Sequence, residues 1–188
     1  MGIRDVLFGR KKLAEPKEDR LFALTTAAVT LQIELGLKTA GVAAIAFKPQ
    51  SSGEFRSVFD DTDTLIEAAA KSAGSTIERK SDEYGFDWVI VRDPDLEDLV
   101  TSVHAVAQEL TDQGFGAQLL AAIFRFDGGE HPVYWIYGFK RGAFWPFVPI
   151  DDSKRDNALE LELKAKLEGE LPVEQDLTRW LALFDAPV

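Results

Sequence analysis

The chain of 188 residues contains no cysteine, and its only histidines are His104 and His131. The absence of cysteine excludes disulfides, thiol nucleophiles, iron–sulfur clusters and cysteine-based zinc sites. Two histidines cannot supply a three-histidine metal centre within one chain. The sequence also lacks a run of roughly 18 apolar residues that could span a membrane, and its first residues lack the apolar core of a signal peptide. These absences lead us to expect a cytoplasmic protein.

Positive charge is scarce as well. Lysine and arginine number 21, aspartate and glutamate number 32, and the net charge is −11. An acidic chain repels phosphate backbones, so nucleic acid is not expected as a partner. The sequence also lacks the glycine-rich phosphate-binding motifs, HExxH and GxSxG. We therefore assign no catalytic residue, no metal ligand and no cofactor.

The first residues, MGIRDVLFGRKKL, reverse the charge of the chain, because they hold four basic residues and one acid. Apolar residues at helical spacing predict a short amphipathic helix, and a polar linker with Pro16 follows it. Residues 1–18 comprise this basic amphipathic segment and its linker, and we expect residues 2–13 to dock onto a partner, an anionic membrane surface or the protein's own domain. The candidate docking residues are Ile3, Arg4, Val6, Leu7, Phe8, Arg10, Lys11 and Lys12.

Residues 19–188 are predicted to form one α+β domain. Along this part of the chain, segments whose apolar residues have helical spacing are interspersed with segments whose apolar and polar residues alternate as in a strand. The predicted helices cover 20–35, 62–73, 94–113 and two segments of 154–184 separated by Pro172. The predicted strands cover 41–49, a short segment within 51–59, a hairpin over 75–93 and a three-strand meander over 118–149. Short turns predict an antiparallel sheet of about five to six strands with helices packed on it.

The titratable residues offer no clear catalytic group. His104 is the best candidate for acid–base chemistry, but a hydrogen-bonded histidine at the edge of an apolar helix stripe is the favoured interpretation. His131 precedes Pro132 in a turn and is expected to be exposed. Two acidic groups precede predicted helices, where carboxylates are favourable without a metal. They are Asp60, Asp61 and Asp63, and Asp151, Asp152 and Asp156.

The segment FKRGAFWPFVP (139–149) concentrates basic and aromatic residues on a strand that its prolines place at a sheet edge. Arginine and aromatic residues are enriched at protein-binding surfaces. Alternate residues of a strand point to opposite faces, so some of them must face the core. Partner binding and core packing both remain open for this strand. The candidate partner-binding residues are Lys140, Arg141, Phe144, Trp145 and Phe147.

Several segments together resemble the PspA-associated protein family PspAB. The most specific ones are YGFKRGAFWPFVP (137–149) and RDNALELEL (155–163), supported by YGFDWVIVR (84–92) and DLTRW (176–180). The resemblance implies an envelope-stress system of the phage-shock type and a PspA-like coiled-coil partner. None of these segments is a catalytic motif. The predicted architecture is also weakly similar to type III secretion chaperones.

Three functions remain open after this reading of the sequence. The first, which we favour, is a non-enzymatic adaptor or regulatory protein that binds a PspA-like partner in the cytoplasm, peripherally at the inner membrane. The second is a small enzyme without a recognisable motif. The third is a chaperone-like module that holds a peptide. A homo-oligomer is compatible with each of them.

Overall fold

The computed structural model describes residues 17–48 and 74–188. The segment 1–16, the predicted strand within 51–59, the predicted helix over 62–73 and the acidic group Asp60, Asp61 and Asp63 lie outside these residues. The helices are α1 (Ala23–Ile33), α2 (Leu96–Asp112) and α3 (Asn157–Leu167). The strands are β1 (Lys38–Phe47), β2 (Thr76–Ser81), β3 (Asp87–Arg92), β4 (Leu119–Asp127), β5 (Val133–Gly138) and β6 (Ala143–Phe147). Among these helices, none is long and apolar enough to cross a membrane.

All six strands form one antiparallel sheet in the order β2-β3-β1-β4-β5-β6. The predicted α+β class and the antiparallel sheet are therefore confirmed. Strand β1 lies in the centre, where Ala44 is opposite Ile90 of β3 and Ile123 of β4. A central strand is covered on both faces, and all residues of β1 from Val42 to Phe47 are buried. This burial explains why the strand is a continuous apolar run.

The two faces of the sheet have different covers. On one face, Phe126 lies near Thr25 of α1 and Leu96 of α2 around a shared groove. The Tyr137 hydroxyl on the same face donates a hydrogen bond to the Lys17 carbonyl. On the opposite face, the Trp145 indole donates to the Leu181 carbonyl at 3.0 Å. The last residues of the chain thus cover the part of the second face formed by β5 and β6.

Helix α2 has the start that its sequence predicts, shifted by two residues. The Asp95 carboxylate caps the helix by accepting hydrogen bonds from the N–H groups of Glu97 at 2.7 Å and Asp98 at 3.3 Å. Pro94 therefore precedes the cap instead of occupying the first helical position. The buried residues form one apolar stripe, as expected for a helix packed on a sheet. They are Leu99, Val100, Val103, Val106, Ala107 and Leu110.

Helix α1 begins later than predicted. Residues Glu18–Phe22 form a 3-10 turn, so the residue before the predicted helix, Asp19, lies inside this turn and does not act as the helix cap that its position predicts. The α-helix carries no charged side chain, and Val29 and Ile33 are 64% and 78% exposed. Gly36, at φ +66°, follows the helix in the left-handed conformation that its position predicts.

The predicted second helix of the tail is wrong. Residues 157–167 form α3 as predicted, but only one 3-10 turn, Leu177–Arg179, follows Pro172. Residues 172–174 instead pair with the outer edge of β6. The Phe144 N–H donates to the Pro172 carbonyl, and the Glu174 N–H donates to the Phe144 carbonyl, both at 2.8 Å. These bonds satisfy edge groups that would otherwise stay open, and a helix could not supply them.

The turn between β4 and β5 packs closely against the backbone at Gly36. Gly128 has φ +141°, and a Cβ atom there would lie 2.1 Å from the Gly36 carbonyl oxygen. A Cβ at the neighbouring Gly129 would meet nothing closer than 3.7 Å. We predict that Gly128→Ala lowers the free energy of unfolding by about 2 kcal/mol or more. Urea unfolding measures this loss.

Gly129→Ala is the matched control and should change the free energy of unfolding by less than about 1 kcal/mol. Similar losses for both alanine variants would contradict the close approach of the turn to Gly36.

Candidate functional site

Basic side chains gather around the turn between β5 and β6. The Lys17 N–H donates to the Phe139 carbonyl at 3.2 Å, and Arg20 Nη1 donates to the Gly142 carbonyl at 3.3 Å. Lys140 and Arg141 belong to the turn itself. The 3-10 turn Glu18–Phe22 and the residue before it therefore pack against this loop, and we call the set Lys17, Arg20, Lys140 and Arg141 the cationic turn.

Gly142 makes this approach possible. It has φ +66°, and a Cβ atom there would lie 2.8 Å from the Cβ and Cδ atoms of Lys17. Any larger residue would push the Lys17 side chain away from the turn. The KRG sequence thus combines two cations with the one residue type that lets two more come close.

The charges of the cationic turn are only partly neutralised. Arg141 Nε lies 3.5 Å from Glu174 Oε2, and the Glu174 side chain is 12% exposed. Lys140 is exposed and makes no ion pair within the part of the chain that the structure describes. A concentration of positive charge is notable on a chain with a net charge of −11. It creates a local field that attracts acidic partners.

The aromatic residues predicted beside these cations are buried. Phe144 is fully buried, and its ring lies 4.7 Å from the Tyr137 ring on the helix-covered face. Trp145 and Phe147 point to the opposite face and are 5% and 1% exposed. Of the five predicted partner-binding residues, only Lys140 and Arg141 lie on the surface. Strand alternation indicated that one set would face the core, but it could not show that the chain's own tail covers the other set.

A groove of about 470 Å³ lies between α1 and the start of α2. Its polar lining includes Thr25, Gln32, Lys38, Thr39, Asp95 and Glu97. The Asp95 carboxylate is engaged in capping α2. Neither histidine lines this groove. His104, the best candidate for acid–base chemistry, therefore lies outside it.

His104 is a partly buried residue on α2. Its Nε2 lies 3.4 Å from Asp19 Oδ1, and its ring lies 4.9 Å from the Phe22 ring. The Asp19 side chain is fully exposed, so water screens this pair. His131, predicted to be exposed, is partly buried, with 28% of its side chain accessible. His104 thus lies beside the apolar stripe of α2, as predicted, but the predicted hydrogen bond is not found, because its buried Nε2 atom has no hydrogen-bond partner among the described residues.

Two members of the second acidic group, Asp151 and Asp156, accept hydrogen bonds from nearby backbone N–H groups. Asp151 accepts hydrogen bonds from the N–H groups of Ser153 and Lys154, both at 2.9 Å. These bonds lower the pKa of Asp151, although its slight burial opposes them. Asp156 caps α3 by accepting from the Leu159 N–H at 3.0 Å. Within residues 17–48 and 74–188, no three His, Asp or Glu side chains are placed to hold a metal ion.

A buried ion pair joins β6, α3 and the tail. Arg155 Nε lies 2.9 Å from both carboxylate oxygens of Glu160, and Arg155 Nη1 donates to the Trp180 carbonyl at 2.8 Å. The Val148 N–H also donates to Glu160 Oε1, at 2.8 Å. Arg155 lies 5.1 Å above the Phe147 ring. Burial raises the pKa of Glu160, while Arg155 and the Val148 N–H act in the opposite direction.

The chain matches the family described as PspAB, PspA associated protein B, over residues 1–188. It belongs to this family. A comparison with curated proteins found no match, and a comparison with solved structures found none. The family predicted from sequence is therefore confirmed, whereas the similarity to type III secretion chaperones is not.

The segments that resemble PspAB most closely meet around Arg155. RDNALELEL supplies Arg155 and Glu160, the FWPFVP segment supplies Phe147 and Val148, and DLTRW supplies Trp180. In this chain, these sequence features thus meet at one packed cluster. No short motif could reveal this meeting, because its members lie up to 33 residues apart in the sequence.

We predict that Arg155→Met destabilises the protein by about 3 kcal/mol near neutral pH, because it leaves the Glu160 carboxylate buried without its cation. Urea unfolding at several pH values measures the loss. The loss should shrink as the pH falls, because burial already raises the pKa of Glu160 and removing Arg155 takes away interactions that oppose this effect, so that the folded variant takes up a proton at a higher pH than the wild type does.

The control is Arg179→Met, since Arg179 forms an ion pair at 2.8 Å with Asp176 while both side chains are at least 40% exposed. Its loss should stay below about 1 kcal/mol. Equal losses in the two variants, or a loss for Arg155→Met that does not depend on pH, would contradict the role of the buried pair.

Proposed function

We propose that this PspAB protein is a non-enzymatic adaptor that binds a PspA-type partner through the cationic turn. The observation that carries the proposal is the concentration of Lys17, Arg20, Lys140 and Arg141 at one end of the sheet, on a chain with a net charge of −11. The family description supports a PspA-type partner. An acidic surface on that partner would be steered to the cationic turn by electrostatic complementarity.

The basic residues of the segment 1–18 extend the same argument. Lys12 precedes Lys17 by five residues, which can span at most about 18 Å. Arg10 precedes Lys17 by seven residues, at most about 25 Å, so Arg10, Lys11 and Lys12 can all reach the surroundings of the cationic turn. We propose that both groups contact one assembly, namely the partner and the inner-membrane surface beside it.

The membrane contact is weak by itself. Each basic residue near an anionic membrane contributes about 1 kcal/mol, so the excess of three positive charges in MGIRDVLFGRKKL contributes about 3 kcal/mol. Burial of Ile3, Val6, Leu7 and Phe8 adds to this, whereas the acidic body of the protein is repelled. The partner supplies the second contact that stable recruitment needs.

We predict that Lys140→Glu weakens binding to the cognate PspA-type protein about tenfold at low ionic strength, because it reverses an exposed charge of the cationic turn. The difference should become smaller as salt is added. Isothermal titration calorimetry at two salt concentrations measures both effects. Arg141→Gln should act in the same direction but less, since Glu174 already neutralises part of the Arg141 charge.

The control is Lys80→Glu, which reverses an exposed charge on β2, at the opposite edge of the six-stranded sheet. Its affinity should equal that of the wild type. If Lys140→Glu is folded and binds the partner like the wild type at low salt, or if Lys80→Glu weakens binding as much, the cationic turn is not the binding surface.

For the membrane contact, we predict that the full chain sediments with vesicles of anionic lipid at low salt and remains in solution at moderate salt. The double variant Lys11→Glu/Lys12→Glu should lose this binding, because it turns the excess positive charge of the segment into a negative one. Co-sedimentation measures it, with Lys80→Glu as the control. Equal sedimentation of the double variant and the wild type would remove the membrane from the proposal.

A further inference from the structure

The outer side of α1 carries a row of mostly apolar residues. Val29 and Ile33 are 64% and 78% exposed, and Phe22, at the N-cap position, is 38% exposed. Thr26, which is also exposed, lies between Phe22 and Val29. Intervals of four, three and four residues place these side chains along one face of the helix. We call Phe22, Thr26, Val29 and Ile33 the α1 stripe.

This stripe makes α1 unlike an ordinary surface helix. The inner side buries Leu24, Ala27 and Leu31, and no residue of α1 is charged. A surface helix normally turns charged residues to the solvent, whereas a helix with apolar residues on opposite sides is normally covered on both. The spacing of the α1 stripe is also that of the contact positions in paired helices. A second helix is therefore the cover that fits its geometry.

Each end of the α1 stripe is next to an unpaired charge. Arg20 precedes the stripe and donates to the Gly142 carbonyl, but it forms no ion pair within residues 17–48 and 74–188. Glu34 follows the stripe, is exposed and likewise forms no ion pair among those residues. One end of the stripe is thus positive and the other is negative. Two such stripes in antiparallel orientation match each other in charge.

We propose that the α1 stripe is the contact surface of a two-fold dimer, in which α1 packs antiparallel against α1 of a second copy of this chain. A two-fold axis between Thr26 and Val29 places Phe22 opposite Ile33 of the second copy and Thr26 opposite Val29. Every residue of the stripe is then covered. A surface that complements itself in this way is what an isologous dimer requires.

The same register pairs the unpaired charges. It brings Glu34 of each copy to the level of Arg20 of the other, so the dimer contains this contact twice. No like charges meet along the helices, because α1 has no charged side chain. The proposal goes beyond the adaptor function, and it shares only Arg20 with the cationic turn.

An anionic membrane fits this face poorly. Thr30 Oγ1 of α1 donates a hydrogen bond to Glu170 Oε1 at 2.7 Å, so Glu170 borders the stripe together with Glu34. No basic residue of α1 compensates for these two carboxylates. Anionic headgroups would therefore be repelled where the stripe would have to enter the lipid.

The size of the contact sets its strength. Helix α1 has 11 residues and is about 17 Å long. One pair of such helices buries less than the roughly 1,600 Å² of a standard interface, so the dimer is expected to be weak. We expect a dissociation constant of about 10–100 μM.

The test is analytical ultracentrifugation of the full-length protein over a concentration series. The wild type should change from monomer to dimer, and Val29→Gln/Ile33→Gln should raise the dissociation constant at least about tenfold. The matched control is Leu181→Gln, because Leu181 is 62% exposed on the opposite face of the sheet. Its dissociation constant should equal that of the wild type. Circular dichroism shows that each variant is folded, and Val29→Gln alone, with a smaller effect, replaces a double variant that does not fold.

A second arm tests the antiparallel register. Arg20→Glu and Glu34→Arg should each weaken the dimer about tenfold, because each places like charges together at both contacts. An equimolar mixture of the two variants should dimerise like the wild type, since both contacts then join opposite charges. A role of either residue in folding alone would not produce this recovery.

Three results would overturn the proposal. The first is a wild type that stays monomeric up to about 500 μM. If this monomer sediments with anionic vesicles and Val29→Gln/Ile33→Gln does not, the stripe contacts lipid instead. The second is a dimer that Val29→Gln/Ile33→Gln leaves intact or that Leu181→Gln weakens as much. The third is a mixture of the folded charge variants that does not dimerise. No PspA-type protein is present, so these failures leave the adaptor proposal standing.

Discussion

The Arg155–Glu160 ion pair is the interaction on which the last third of the fold depends. A buried carboxylate is costly unless a cation and hydrogen-bond donors surround it, and Glu160 has both in Arg155 and the Val148 N–H. The same guanidinium holds the Trp180 carbonyl. One side chain thereby links the end of β6, the first turn of α3 and Trp180 near the end of the chain. The side chain that pairs with the buried charge of Glu160 therefore also positions the chain after α3.

That coupling determines what the sheet can present to a partner. Because the chain after α3 returns along β6, residues 172–174 cover part of its outer edge, and residues 180–188 cover the aromatic residues of the second face. The surface left open at this end is the cationic turn. An edge strand with exposed aromatics would invite uncontrolled pairing, whereas the observed arrangement leaves charge exposed. The adaptor proposal rests on this remaining surface.

Much of the architecture follows from local patterns. The hairpin of β2 and β3, the meander of β4 to β6 and helix α2 were predicted because each has a strong period and a clear turn or cap nearby. In α3, the leucines alternate as they would in a strand, but the helix-forming composition of the segment predicts the helix that is observed. The prediction of a second helix in the tail was wrong because the structure there depends on non-local contacts, namely the pairing of Val173 with Phe144 and the contacts of Trp180. Nothing in the residues near 172–184 reveals those partners.

The candidate site likewise combines features that local sequence patterns predict with features that depend on contacts between distant segments. The sequence by itself determined the elements, the basic segment, the absence of cysteine chemistry and the PspAB family, since these depend on residue type and short spacing. It also identified Lys140 and Arg141 as surface candidates. Only the tertiary structure decided that Lys17 and Arg20 join them, that Phe144, Trp145 and Phe147 are buried and that Arg155 has a buried carboxylate as its partner. The reason is physical: burial and charge pairing depend on which distant segments meet, and a packed sheet decides that through the path of the whole chain.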